Sequence, residues 1–173
     1  MNIKKINAII AALLMTVLNA CSQAQSNGKV VAGSSEDAKA FPGAKPNAYW
    51  KKLLSPDAYE IMVNKGTEPP FNNPYWNNHE KGIYVSAATG KPLFSSDAKY
   101  NSGTGWPSFF KPMDPKAIMI VRDYSDGMER DEVVERSTGL HLGHVFDDGP
   151  APTGLRYCLD SYALKFVKAC GSF

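Results

Sequence analysis

The chain has 173 residues, 43% of them hydrophobic, with 19 basic and 17 acidic side chains and a formal net charge of +2. Residues 1–20 hold Lys4 and Lys5 and no acid, so beyond them 17 basic residues face 17 acidic ones and the apparent basicity belongs to the N-terminus. Neutrality without a polybasic run excludes the electrostatic footprint of a nucleic-acid-binding protein and fits a solvated mixed-charge surface.

Lys4 and Lys5 precede the apolar run Ala8–Val17, the charged-then-apolar order of a secretory signal, which is too short to span a bilayer comfortably. Leu18-Asn19-Ala20-Cys21 follows and resembles the bacterial lipoprotein signal, in which the cysteine is lipidated and becomes the first mature residue. The resemblance implies a signal peptide over 1–20, a membrane anchor at Cys21 and, because Ser22 is not aspartate, the periplasmic face of the outer membrane in a cell that has one. The other reading is an ordinary cleaved signal with a spare cysteine. Residues 21–47 are rich in Ala, Ser, Gly, Lys and Pro and poor in large apolar residues, so they are read as a flexible tether. The remaining residues, 48–173, have the size of one domain with one core, and no internal repeat is seen.

Within that domain, Trp50, Leu53 and Leu54 have the spacing of a short amphipathic helix over 48–54. A second short helix is expected over 55–62, because Ser55 can accept the first free amide protons and Pro56 suits the first helical position. Pro69-Pro70 and Asn72-Asn73-Pro74 make the next stretch loop, and His79 sits in the polar run Asn77–Lys81, where a solvated histidine is expected. Beyond Gly82 the punctuation is that of a β protein: a hairpin of 82–86 with 91–94, then strands over 117–122, 131–136, 144–146, 155–159 and 163–167. Short strands separated by turn signals predict a mainly β fold of two antiparallel sheets, a sandwich or open barrel with short N-terminal helices.

The stretch from His141 to Cys158 holds two of the three histidines and the one cysteine in the middle of the expected domain. The turn formers Asp148-Gly149-Pro150 and Pro152-Thr153-Gly154 between them would fold its halves back on each other. Alternation puts Arg156, Cys158 and Asp160 on one strand face and Tyr157 and Leu159 on the other. A thiol nucleophile beside proton-transfer groups is one reading. A buried inert thiol beside structural histidines is the other.

Several stretches, in order along residues 48–168, resemble the B-type methionine sulfoxide reductases. They are Gly66-Thr67-Glu68, Leu93–Ser96 through Lys99-Tyr100, Ser102-Gly103-Thr104-Gly105-Trp106-Pro107-Ser108-Phe109, Arg130–Val133, His141-Leu142-Gly143-His144-Val145-Phe146, Asp148-Gly149-Pro150 and Arg156–Ser161. The resemblance implies an enzyme that reduces the R epimer of methionine sulfoxide in peptides and proteins. In it the thiolate of Cys158 attacks the sulfoxide sulfur and is left as a sulfenic acid. His144 would donate the proton that the departing oxygen needs, with His141 shaping the pocket or serving only structural orientation. Trp106 would form an aromatic wall against the methyl group on sulfur. Arg156 would help to activate the thiol, and Glu68 would position the loop of the same pocket or cap a backbone turn.

The departures also carry expectations. Many members bind a structural zinc with two Cys-x-x-Cys pairs, but Ser86–Thr89 and Glu135–Thr138 stand at those places, so zinc is expected to be absent. Thr104 occupies the position where some members have a resolving cysteine, and Asp160 replaces the usual asparagine. An ionised acid at 160 cannot donate a hydrogen bond and would tend to raise the cysteine pKa. Cys170 would lie roughly 40 Å from Cys158 along a straight strand, so it resolves the sulfenic acid only if the chain reverses. Otherwise an external dithiol, such as a thioredoxin-like protein, acts directly on Cys158. No cofactor is required. The partners expected are oxidised proteins or peptides, the reductant and the membrane through its anchor. Location implies repair of envelope proteins under oxidative stress. The alternatives are a lipid-anchored β-sandwich that binds peptides without turnover and a structural lipoprotein with an inert cysteine.

Overall fold

The computed structural model describes residues 40–169. The expected signal, Cys21, Cys170 and most of the expected tether lie outside the described residues. The described chain begins with two short helices, α1 (Asn47–Leu53) and α2 (Pro56–Met62). Ser55 accepts the Ala58 N–H at 3.2 Å and Pro56 opens α2, so the start signals in the sequence act as helix caps. Trp50, Ala58, Ile61 and Met62 are the buried residues of the two helices.

Nine strands follow: β1 (Gly82–Ser86), β2 (Pro92–Ser95), β3 (Lys99–Tyr100), β4 (Ser108–Phe109), β5 (Ile118–Asp123), β6 (Arg130–Glu135), β7 (His141–Phe146), β8 (Arg156–Leu159) and β9 (Leu164–Lys168). They form two antiparallel sheets, ordered β2-β1-β9 and β3-β4-β8-β7-β6-β5. Tyr84 and Phe94 of the small sheet meet Phe109 of the large one with ring centroids 5.0 and 4.8 Å apart. Those rings, with Leu93, Leu142, Val133 and Leu159, form a continuous buried core between the sheets, whose apolar burial is the main stabilising contribution. α2 lies against β7.

The expected strands are present with ends shifted by at most one residue, apart from β7, which begins at His141 instead of His144. Two strands have no counterpart in the sequence reading: β3 and β4, two residues each, flank the loop that carries Trp106. They are too short to show a period, and pairing alone defines them, Ser108 opposite Cys158 and Phe109 opposite Tyr157.

The last residues of the expected tether lie on the domain. The Gly43 N–H donates to the Ser137 carbonyl at 2.7 Å, and the Phe41 ring covers Gly139 so closely that a Cβ there would fall 2.9 Å from it. The packed body therefore begins before residue 48.

Candidate active site

Pairing of β7 with β8 sets His144 directly opposite Cys158, which turns both side chains to the same face of the sheet. Along β8 burial alternates, Tyr157 and Leu159 inward and Arg156 and Cys158 half-exposed. His141 and His144 are three residues apart and would point to opposite faces of a regular strand. A register shift in the β6–β7 ladder, between the pairs Val133–Gly143 and Val134–His141, changes that, and the two imidazole centroids lie 5.3 Å apart. The irregularity demands glycine at 143, where φ is +143° and a Cβ would collide with the Cys158 carbonyl oxygen.

Cys158, His144 and Trp106 line one cleft of about 120 Å³ together with Thr67, Arg130, Phe146, Leu159 and Asp160. The Trp106 indole N–H donates to the Glu68 carbonyl at 3.0 Å. Its loop is held from the other side, because the Gly105 carbonyl accepts from the Phe71 N–H at 2.9 Å and from Asn73 Nδ2 at 2.8 Å. Gly105 has φ +90° and no room for a Cβ, which would lie 2.7 Å from the Phe71 nitrogen. The indole therefore stands at the cleft on a loop clamped by its neighbours.

Burial pushes the Cys158 thiol above its ordinary pKa, with the charge of Asp160 adding to the rise. Contact with the Thr104 hydroxyl, the charge of Arg156 and the Ser108 hydroxyl oppose it. Thr104 Oγ1 lies 3.8 Å from Cys158 Sγ. Arg156 is not in the cleft lining: it forms paired bonds to Asp148 at 2.8 and 2.9 Å and stacks on Phe146, 4.3 Å from the ring centroid. It acts on the thiol through its field.

His144 Nε2 is 2.9 Å from Asp123 Oδ2. Asp123 is held well below the usual carboxylate range: burial alone would raise it, and the amide of Ser125 and the bond to His144 outweigh that. Burial lowers the His144 pKa, so the ring is neutral near neutral pH, with Nε2–H donating to Asp123 and Nδ1 left to take up a proton. A neutral base beside a protonated thiol is the resting state this geometry favours.

His141 lies behind the cleft. It is 2% exposed, with Nδ1 2.7 Å from Glu132 Oε1 and Nε2 3.3 Å from Asp160 Oδ2. Burial would lower its pKa, but the two carboxylates push it up to about 9. Lys65 Nζ holds the other Glu132 oxygen at 2.8 Å. The Glu68 side chain is buried next to Asp160, and Oε1 accepts the Ser161 N–H. Glu68 thus serves the site twice, by its carbonyl to Trp106 and by its carboxyl to the backbone after β8.

Asp123 carries no mark in the sequence, since it reaches His144 only through the β5–β6–β7 ladder. Lys65 is equally unmarked, and nothing in its loop context signals it. Glu132 and Thr104 stand inside the stretches that carry the resemblance, but their contacts are tertiary.

In the turns Ser86–Thr89 and Glu135–Thr138, the Glu135 carboxyl accepts the Ser86 hydroxyl at 2.7 Å, the Thr89 hydroxyl at 2.8 Å and the Ser137 hydroxyl at 2.7 Å. One carboxyl group already accepting from three neutral hydroxyls does not suit zinc, which takes thiolate, imidazole or free carboxylate ligands.

The SelR domain model matches residues 54–168. Proteins named peptide methionine sulfoxide reductase MsrB align closely with the chain. The one from Leptospira interrogans is 52% identical over 124 residues, 72% of this chain and 95% of its own length. That of Agrobacterium fabrum is 50% identical over 122 residues, covering 70% and 90%, and that of Acinetobacter baumannii 51% over 121, covering 70% and 87%. The matched span takes in both sheets and every residue of the cleft, and the chain belongs to the SelR-domain family of B-type methionine sulfoxide reductases.

Proposed function

We propose that the protein reduces methionine R-sulfoxide in peptides and proteins to methionine, with Cys158 as nucleophile. The observation that carries this is the placement of Cys158 opposite His144 in the β7–β8 ladder, in one cleft with the Trp106 indole. His144 Nδ1 takes the thiol proton as the thiolate attacks the sulfoxide sulfur, and the imidazolium so formed returns a proton to the oxygen. Overall, thiol plus sulfoxide gives sulfenic acid plus thioether: the cysteine sulfur loses the two electrons that the methionine sulfur gains. An external dithiol, such as a thioredoxin-like protein, returns Cys158 to the thiol, is itself oxidised to a disulfide and releases the oxygen as water. The indole face packs on the substrate methyl group. Thr104, at the position where some members have a resolving cysteine, supports dependence on an outside reductant, with Cys170 the internal alternative.

The hydroxyl-filled surroundings of Glu135 support a domain without structural zinc. The lipoprotein-like run ending at Cys21 supports attachment to the cell envelope, where repair of oxidised envelope proteins is the role that location suggests. The test is stoichiometric. With excess dithiothreitol and peptides of each sulfoxide epimer, the full chain is expected to release many equivalents of methionine per protein from the R epimer and none from the S epimer. Release of none from either would leave a peptide-binding domain.

A further inference from the structure

The residues behind Cys158 form a buried polar chain whose hydrogen-bond bookkeeping does not close with ordinary protonation. From the segment after α2 come Lys65 and Glu68, from β6 Glu132, from β7 His141, and beyond β8 Asp160. Arg130, His144, Cys158 and Arg156 are the other titratable groups of the cleft and its rim. Glu68 and Asp160 are 5% and 4% exposed, and their carboxyl groups are neighbours, since Glu68 Oε1 accepts the N–H of Ser161, the residue after Asp160. Yet Glu68 Oε2 and Asp160 Oδ1 are both buried without a donor, and His141 Nε2 makes only an ion-pair contact, 3.3 Å from Asp160 Oδ2, without hydrogen-bond geometry. Two carboxylates in contact leave two unsatisfied acceptors and a repulsion that the His141 imidazolium, shared with Glu132, offsets only in part. Within this row two cations face three carboxylates: the His141 imidazolium lies between Glu132 and Asp160, and Lys65 is bound to Glu132.

We propose that Glu68 is a neutral carboxylic acid in the resting protein, donating its proton from Oε2 to Asp160 Oδ1, and that it is a positioning residue for the Cys158 thiolate. One proton then satisfies both orphaned oxygens. Every other polar contact in the chain keeps its role: Ser161 N–H to Glu68 Oε1, Asp160 Oδ2 to the His141 imidazolium, and Glu132 between His141 and Lys65. The Lys65–Glu132–His141–Asp160 row carries no net charge, and Cys158 ionises beside a single, already paired carboxylate. Burial, followed by the charge of Asp160, pushes Glu68 up to about 8, in agreement with this assignment. Above that range a second negative charge appears behind the thiol.

The role assigned to Glu68 rests on Cys158 being the nucleophile, but the proton can be seen without turnover. Infrared difference spectra of the full chain should show a protonated carboxyl band at pH 7 that vanishes with a midpoint near 8 and is missing in Glu68→Gln. Its absence from the wild type at pH 7 would overturn the proposal, whatever the variant does. Alkylation of Cys158, mapped by peptide mass from pH 7 to 10, supplies the second arm. The introduced amide donates like the acid and cannot ionise, so Glu68→Gln should lack the step near 8, while the later loss of the His141 proton near 9 is common to both proteins. The wild type should lag behind it at high pH, by up to about tenfold for an adjacent new charge. Identical profiles would overturn the positioning role while leaving the reductase reading intact.

Discussion

Cys158 is held by opposing influences: burial raises its pKa, while Thr104, Arg156 and Ser108 lower it. Alternation along β8 puts Arg156 on the face of Cys158, where its charge favours the thiolate, while its guanidinium is bound to Asp148 and stacked on Phe146 outside the cleft lining. The contact with Thr104 has a direct consequence. Its hydroxyl oxygen lies 3.8 Å from Sγ, so a thiol at 104 would stand within reach of disulfide formation after modest side-chain rotation. Thr104→Cys is expected to yield a crosslink between the introduced thiol and Cys158 after one equivalent of R-sulfoxide, seen by peptide mapping, and to turn over faster with a thioredoxin-like reductant than with a monothiol. No crosslink would mean that the loop holds residue 104 away from the oxidised sulfur. Most cleft residues were legible as types, because thiol, imidazole and indole carry recognisable chemistry. Asp123, the partner of His144, and Lys65, the partner of Glu132 behind the cleft, were not, because they arrive through strand pairing and loop packing from 21 and 67 residues away.

Elements supply the precision that residue types lack. The sequence period placed strands over most of the sheet region, but the irregularity at Gly143, which turns His141 and His144 to one side, has no signature in a period-two pattern. β3 and β4 were equally hidden, since two-residue strands exist only through their neighbours. The turns after β1 and β6 are joined at Glu135, whose carboxyl collects the hydroxyls of Ser86, Thr89 and Ser137. Ser86 belongs to the small sheet and Glu135 to the large one, so this cluster ties the two sheets together. Glu135→Ala empties a fully buried site and strips three hydroxyls of their acceptor. The expected loss is roughly 2–3 kcal/mol in urea unfolding, with the cleft chemistry per folded molecule little changed because Glu135 does not line it. Addition of zinc should not restore the lost stability. If it does, the turns retain a metal site that their hydroxyl bonding argues against.

At the scale of the molecule, two sheets packed over an aromatic core leave the proposed site at the face of the larger sheet, closed on one side by the loop of residues 66–73 and the Trp106 loop that it clamps. The sheets and their order of appearance were legible because turn residues punctuate them. The start of the body was not, because composition marks residues 40–47 as tether while packing against Ser137 and Gly139 is tertiary. A chain starting at residue 40 is therefore expected to melt roughly 2–6 °C above one starting at 48, and Phe41→Ala in the longer chain should remove most of that difference. Equal melting temperatures would show that the contact adds nothing.

The most direct test of the whole account is a single turnover without reductant. One equivalent of R-sulfoxide peptide should release one methionine per chain and leave the oxidation on Cys158, as a trapped sulfenic acid or as a Cys158 to Cys170 disulfide. Cys158→Ser should release none. Methionine released while Cys158 stays a free thiol would contradict the proposed chemistry.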